Sequence, residues 1–225
     1  MAVRIRSDEE IRAEVMEELK WDQRIQPDNI QVIVQDGVVT LKGWVDSYAQ
    51  KMAAQDAARR VRGVKDVSND LEVRLPETAT RNDDDLVKAL INALRLDPAI
   101  PVDRLEMTVS KGWVTLKGEV EYPFQRSEAE RVIRSIAGIK GVADLITIKP
   151  RIVVPDLKQM IERALVRNAE TEAQRLTVEM QGSKVILRGK VCSYAEKQAA
   201  QAAVWRAPGV TEVDNQIEID PTLAS

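Results

Sequence analysis

The sequence contains no histidine and only one cysteine, Cys192, among its 225 residues. Histidine is the commonest general base and metal ligand, and it is the side chain that titrates near neutral pH. A lone cysteine forms no intrachain disulfide, and this one has no histidine to activate it as a nucleophile. The composition therefore argues against an enzyme. No catalytic residue, cofactor-binding residue or metal ligand is assigned, and no cofactor is expected.

A large excess of either positive or negative charge is also lacking. The chain has 33 basic and 36 acidic side chains, a net charge of -3, and the two signs are interspersed. No basic field is available to attract nucleic acid, so no nucleic-acid partner is expected.

Long apolar runs are absent as well. No run of about 18 apolar residues is present to span a bilayer. The first residues turn acidic without the apolar segment of a secretory signal. We therefore expect a cytoplasmic protein, or a periplasmic one if a signal peptide has been removed.

Three segments of the chain share one pattern, V-x-L-x-G-x-V. The pattern occurs in GVVTLKGWV at 37–45, GWVTLKGEV at 112–120 and SKVILRGKV at 183–191. The glycines that fix the alignment are Gly43, Gly118 and Gly189 in these segments, then Gly63, Gly138 and Gly209 further on. The copies align without a gap and define three modules: module 1 at 8–74, module 2 at 83–149 and module 3 at 154–220.

The periodicity of apolar residues types each piece of a module. Ser7 and Glu10 form a capping box before a helix, and Asp36-Gly37 separates two alternating apolar runs, as in a β-hairpin. Residues 47–61 predict a second helix, which Gly63 ends before a last short strand. The fold class is therefore α+β, with three tandem α-β-β-α-β modules. Each is a three-stranded mixed sheet with two helices on one face, in a thin packing.

Several polar and glycine positions admit a ligand interpretation beside a structural one. We interpret the six glycines as structural, at strand ends and helix stops, rather than as a phosphate cradle. Asn69 and Asn215 are expected to hold turns through Asx hydrogen bonds. The acidic run Asn82 to Asp85 is better explained by a helix N-terminus than by a divalent cation.

The assembled pattern resembles the BON domain. The residues that carry the resemblance are Val39, Leu41, Gly43, Val45, Gly63, Val64, Val67 and Asn69; Val114, Leu116, Gly118, Val120, Gly138, Ile139 and Val142; and Val185, Leu187, Gly189, Val191, Gly209, Val210, Val213 and Asn215. The resemblance implies a bacterial, non-enzymatic module associated with osmotic stress, envelope integrity, phospholipid contact or cation sensing. This chain departs from the pattern at Asp144, which replaces the asparagine. Osmotically inducible members are exported, whereas this chain opens with no signal.

Comparison of the copies indicates a candidate contact surface at Trp44, Trp205 and Trp113. Trp44 and Trp205 occupy positions where the other copies carry charged residues, and exposed tryptophan is enriched at binding hot spots. The alternative is that each rests on a neighbouring module of the same chain. Trp113 is ambiguous, and Trp21 is expected to be partly buried. The same comparison suggests that Cys192 is an exposed thiol.

The resulting hypothesis is a stress-associated scaffold that acts through protein–protein contacts or through self-association. In the second case it would form a homo-oligomer. The alternatives are a peripheral phospholipid binder at a membrane surface and a potassium or cation sensor. The proline-bracketed join at 149–155 is shorter than the first join, so modules 2 and 3 are expected to be the more tightly docked pair.

Overall fold

A computed structural model describes residues 6–149, 155–167 and 175–223. Module 1 contains α1 (Asp8–Trp21), β1 (Ile30–Gln35), β2 (Val38–Val45), α2 (Tyr48–Arg60) and β3 (Asp66–Val73). Module 2 contains α3 (Asp83–Arg95), β4 (Leu105–Ser110), β5 (Trp113–Val120), α4 (Pro123–Arg134) and β6 (Gly141–Ile148). Module 3 contains α5 (Leu157–Arg167), β7 (Leu176–Gln181), β8 (Lys184–Val191), α6 (Tyr194–Trp205) and β9 (Glu212–Ile219).

Each module has its own three-stranded mixed sheet. The middle strand pairs antiparallel with the first strand through a hairpin and parallel with the third strand. A parallel neighbour requires a crossover, which the second helix of the module supplies. The α+β class and the α-β-β-α-β order are therefore confirmed. The expected join at 149–155 lies almost entirely outside the described residues, as does Val154, the first residue of the third unit.

The hairpin turn and the first helix are tied together by one carboxylate. Asp36 and Gly37 both have positive φ, 52° and 79°, as a type I′ turn requires. Their backbone N–H groups donate to the two carboxylate oxygens of Asp8, at 2.8 and 2.9 Å. Asp8 directly follows Ser7, the N-cap residue of the expected Ser7–Glu10 capping box, which is present. The start of α1 is thereby fixed to the end of the sheet.

Three hydrophobic clusters, one for each module, hold the layers together. They consist mainly of Val, Ile, Leu and Ala, and no polar or charged residue of the described ranges is buried. On α2 the buried face includes Ala54, Ala57 and Ala58, whose short side chains bring the helix close to the sheet. Such small cores, each one layer thick, stabilise a module of this size only modestly.

The first glycine of each pattern lies inside the middle strand rather than at its end. Gly189 has φ of 135°, and a methyl group there would lie 2.1 Å from the carbonyl oxygen of Arg175. Gly43 and Gly118 repeat this close approach with Asn29 and Arg104. The expectation of a strand end is thus corrected: the middle strand continues to Val45, Val120 and Val191, and the glycine admits the backbone of the preceding loop.

We expect Gly189→Ala to destabilise module 3 much more than Gly182→Ala. Both glycines have positive φ, but nothing lies within 4 Å of a methyl group at Gly182. Gly182→Ala should therefore cost only the left-handed backbone, about 1 kcal/mol. Gly189→Ala should cost roughly 1–3 kcal/mol more, because the backbone at Arg175 must move. Urea unfolding of the two variants measures the difference, and equal midpoints would contradict the close approach.

Candidate interaction surfaces

The second helices of modules 1 and 3 meet, although these modules are not neighbours in sequence. Helix α2 contacts α6. The guanidinium carbon of Arg59 lies 5.0 Å from the centre of the Tyr194 ring, a cation–π contact. The Tyr194 side chain is buried. The first and third modules are therefore joined directly, which the order of the modules does not predict.

Module 2 takes part in two similar junctions. Tyr48 of α2 packs against the module 2 cluster, and burial raises its pKa above the usual range while Arg134 opposes the shift. Trp205 of α6 packs against the clusters of both module 2 and module 3. The second helices of modules 1 and 3 thus both reach module 2, and Arg134 at the end of α4 faces Tyr48.

The junctions reuse the same positions of the repeat. Arg59, Arg134 and Trp205 are equivalent to one another at the end of the second helix, and Tyr48 and Tyr194 are equivalent at its start. The end position of one module meets the start or the core of another module in every junction. The three second helices therefore form a common centre, which we call the hub.

The tryptophans predicted to form a contact surface are separated by this arrangement. Trp205 is half-buried at the hub, so it makes the contact within one chain that we considered as the alternative. Trp44 is half-buried on the open face of sheet 1, with the Arg74 guanidinium carbon 5.6 Å from its ring centre. Trp113 is 56% exposed on the open face of sheet 2.

The expectation that Trp21 is partly buried is wrong, since the residue is 82% exposed. The buried stripe of α1 is Ile11, Val15 and Leu19, and Trp21 ends the helix on another side. Its counterpart in module 2, Leu96, is 85% exposed. An apolar residue in two copies of the repeat therefore did not indicate a core position here.

The open face of sheet 2 is the least charged of the three. The outward residues of the third strand are Asp66, Ser68, Asp70 and Glu72 in module 1, Glu212, Asp214, Gln216 and Glu218 in module 3, but Gly141, Ala143, Leu145 and Thr147 in module 2. The Trp113 ring lies on Gly141, where a methyl group would be 2.2 Å from a ring carbon. Leu145 on the same face is 54% exposed. We call Trp113, Gly141, Ala143, Leu145 and Thr147 the module 2 face.

A second apolar feature of module 2 lies at the start of α4. The rings of Tyr122 and Phe124 stack with centroids 5.7 Å apart, and both are exposed. The other modules have serine and alanine at these positions, Ser47 and Ala49 or Ser193 and Ala195. Sequence comparison overlooked this pair, although the replacement of small residues by aromatic ones was visible in the repeat.

The asparagine of the pattern protects the free edge of the sheet. Asn69 lies within β3 rather than in a turn, which corrects the expectation, although the Asx hydrogen bond is present. The Leu71 N–H donates to Asn69 Oδ1 at 3.3 Å, and Lys51 Nζ donates to the Leu71 carbonyl at 2.8 Å. Both backbone groups of Leu71 are satisfied by side chains, so another strand gains little by pairing there.

The aspartate that departs from the pattern does the same work by different bonds. Asp144 accepts from the Ile146 N–H at 2.9 Å, and it accepts from Arg126 Nε at 2.6 Å. Arg126 is the counterpart of Lys51, so the two substitutions compensate each other. In module 3, Asn215 makes the asparagine pattern.

The acidic run at the start of α3 serves the hairpin. Asp83 accepts from the N–H groups of Lys111 and Gly112 at 2.8 and 3.0 Å, as Asp8 does in module 1. Asn82 caps the helix by accepting from the Asp85 N–H. Within residues 6–149, 155–167 and 175–223, no group of three acidic or cysteine side chains is arranged to hold a metal ion.

The cysteine is half-buried rather than freely exposed. Cys192 Sγ donates to Glu196 Oε1 at 2.7 Å, and the Cys192 N–H donates to the other carboxylate oxygen. Glu196 is also held by the Ser193 cap.

None of the helices in the described segments is both long enough and apolar enough to cross a bilayer.

Comparison with known proteins agrees with this repeated architecture. A family model described as the BON domain matches residues 7–74, 82–150 and 154–221. The chain belongs to the BON domain family. As a BON protein it is 32% identical over 145 residues to osmotically-inducible protein Y of Escherichia coli (strain K12), covering 60% of this chain and 69% of that protein.

Solved structures add little. The C-terminal domain of CdsD, a structural protein of the type III secretion system of Chlamydia trachomatis, is 12% identical. The alignment covers 93% of this chain and 96% of that one at a TM-score of 0.26. A second CdsD structure gives the same score at 13% identity. Scores this low support no comparison of architecture or function.

We expect Asp83→Ala to destabilise module 2 by about 1–2 kcal/mol, because it removes two hydrogen bonds to a carboxylate that is only partly exposed. Asp84→Ala, at the exposed neighbour, should cost below about 1 kcal/mol. Adding calcium or removing it with EDTA should not change the melting temperature of either variant. A calcium-dependent melting temperature in the wild type that disappears in both variants would instead support a cation site.

Proposed function

We propose that this BON protein is a non-enzymatic, stress-associated binding protein. The hub holds its three modules together, and the module 2 face provides the contact with a protein partner or a second copy. The observation that carries the proposal is the exposure of Trp113 and Leu145 on an open sheet face whose third strand carries acidic residues in the sister modules. A large exposed ring has no folding rationale at such a position.

The internal repeat makes this argument sharper than exposure alone. All three modules share one fold, so the charges on β3 and β9 show what an open sheet face needs for solubility. Module 2 lacks those charges at all four outward positions of β6. Asp144 nevertheless occupies the Ile146 N–H at the strand edge. The sheet face rather than the strand edge is thus the surface offered for binding.

The stress association rests on similarity. The relative is named for its osmotic induction, and the absence of histidine leaves no general base of the commonest kind. Both points support a binding role expressed under osmotic stress rather than catalysis. We propose that the protein acts in the cytoplasm, or in the periplasm if it is exported.

A phospholipid surface is the second candidate, and the stacked pair Tyr122–Phe124 favours it. Exposed aromatic rings at a helix start serve as interfacial anchors in peripheral proteins. Cosedimentation with vesicles of phosphatidylethanolamine and phosphatidylglycerol tests it. Loss of binding in Tyr122→Ser with Phe124→Ala, the residues found in the sister modules, would support the lipid candidate.

For the protein contact, the double variant Trp113→Lys with Leu145→Asp introduces the residues of modules 3 and 1. We expect its stability to stay within about 1 kcal/mol of the wild type, because both side chains lie on the surface. A photo-reactive phenylalanine at position 113, expressed in osmotically stressed bacteria, should cross-link to a discrete protein. Adding Leu145→Asp to the variant with the photo-reactive residue should abolish the cross-link.

The matched control places the same photo-reactive residue at Lys184, the module 3 counterpart of Trp113. That position should give no discrete product. Equal cross-linking from positions 113 and 184, or none from either, would contradict the assignment of the module 2 face.

A further inference from the structure

A groove opens between the two helices of module 3. It has a volume of about 450 Å³ and runs between α5 and the end of α6. Its apolar lining includes Met160, Ala164, Ala203 and Ala207, and Arg167 and Arg206 stand at its rim. Pockets of this size accommodate one or two large side chains.

The equivalent region differs in character in the other modules. In module 2, Val132 and Ile136 replace Ala203 and Ala207, and both pack against the core. In module 1 a groove of about 570 Å³ lies between α1 and the end of α2, but its lining is mostly charged. Ion pairs cross it, Arg6 with Glu14 and Arg60 with Glu18. Small residues therefore leave an apolar groove without crossing ion pairs in module 3 alone.

The rim of the groove carries positive charge that the described part of the chain does not neutralise. Arg167 and Arg206 are exposed, and neither forms an ion pair within residues 6–149, 155–167 and 175–223. On α5 the one acidic residue, Glu162, is near Lys158. An occupant of the groove should therefore combine an apolar side chain with carboxylates.

Helix α1 presents that combination on module 1. Trp21 is 82% exposed at its last position, and Glu17 is exposed one turn earlier on the same side. The sequence of α1, DEEIRAEVMEELKW, has six acidic and two basic residues. Arginine both stacks on tryptophan and pairs with carboxylates, so rim and helix are complementary.

We propose that Trp21 of one copy inserts into the module 3 groove of a second copy, with Glu17 facing Arg167 and Arg206. The proposal deepens the self-association included in the proposed function but uses a surface other than the module 2 face. Because the inserted residue and the groove lie on different modules, each bound copy leaves one of each available. The assembly should therefore grow head to tail with concentration.

Sedimentation velocity of the full chain over a concentration series tests the proposal. The wild type should associate at low salt and dissociate as salt rises. Trp21→Arg, which installs the module 3 residue, should weaken association on the order of thirtyfold, as loss of a hot-spot ring does. Leu96→Arg makes the same change at the equivalent exposed site of module 2 and should leave association unchanged.

Two further variants probe the groove itself. Ala203→Val with Ala207→Ile, the module 2 residues, should fill the groove and weaken association without loss of stability. Arg167→Glu with Arg206→Glu should weaken it too, and mixing that variant with Glu17→Arg protein should restore it. Restoration by charge reversal would not occur if the variants merely misfolded.

A monomeric wild type at every concentration would overturn the proposal, as would association that Trp21→Arg leaves unchanged. Groove variants that lose binding to phosphatidylglycerol vesicles, with unchanged sedimentation, would overturn it in favour of a lipid site. If Trp113→Lys with Leu145→Asp abolishes association while Trp21→Arg does not, this inference fails and the proposed function stands.

Discussion

The contact between second helices is the interaction on which the arrangement of this molecule depends. Each module has a thin core of aliphatic residues, so a module by itself gains little from burial. At the hub, Tyr48, Tyr194 and Trp205 bury aromatic surface against neighbouring modules, and Arg59 lies over the Tyr194 ring. These contacts use the helix that also makes the parallel crossover of each sheet. The outer faces of the sheets and the first helices consequently lie outside these contacts.

Because the modules share one backbone, the chain contains its own controls. Differences between equivalent positions that no neighbouring substitution compensates indicate the role of a module rather than the needs of the fold. Trp205 replaces an arginine where module 3 meets the core of module 2. Uncharged residues on β6 replace acidic ones on β3 and β9. Ala203 and Ala207 replace the larger Val132 and Ile136, which fill the equivalent region of module 2. These differences give module 3 a junction and a groove, and they give module 2 an uncharged open face.

Much of the fold could be predicted from the sequence, because periodicity, the capping box and the Asp36-Gly37 turn are local signals. The packing between modules could not, since it depends on residues far apart in the chain, such as Arg59 and Tyr194. The interpretation of tryptophan shows this limit. A position with charged counterparts was expected to face solvent, yet Trp205 lies at the hub, and Trp21, expected to be partly buried, is exposed. Repeat comparison identifies unusual positions, but only three-dimensional packing shows what they contact.

A double-mutant cycle on Arg59 and Tyr194 tests the hub most directly, since the two residues belong to the first and third modules. Arg59→Ala, Tyr194→Ala and the double variant are compared by urea unfolding of the full chain. If the modules are joined as described, the double variant should lose less stability than the two single losses combined. The coupling energy should be about 0.5–2 kcal/mol, the range of a partly buried cation–π contact. Strict additivity would contradict the account, because it would mean that modules 1 and 3 do not share this contact.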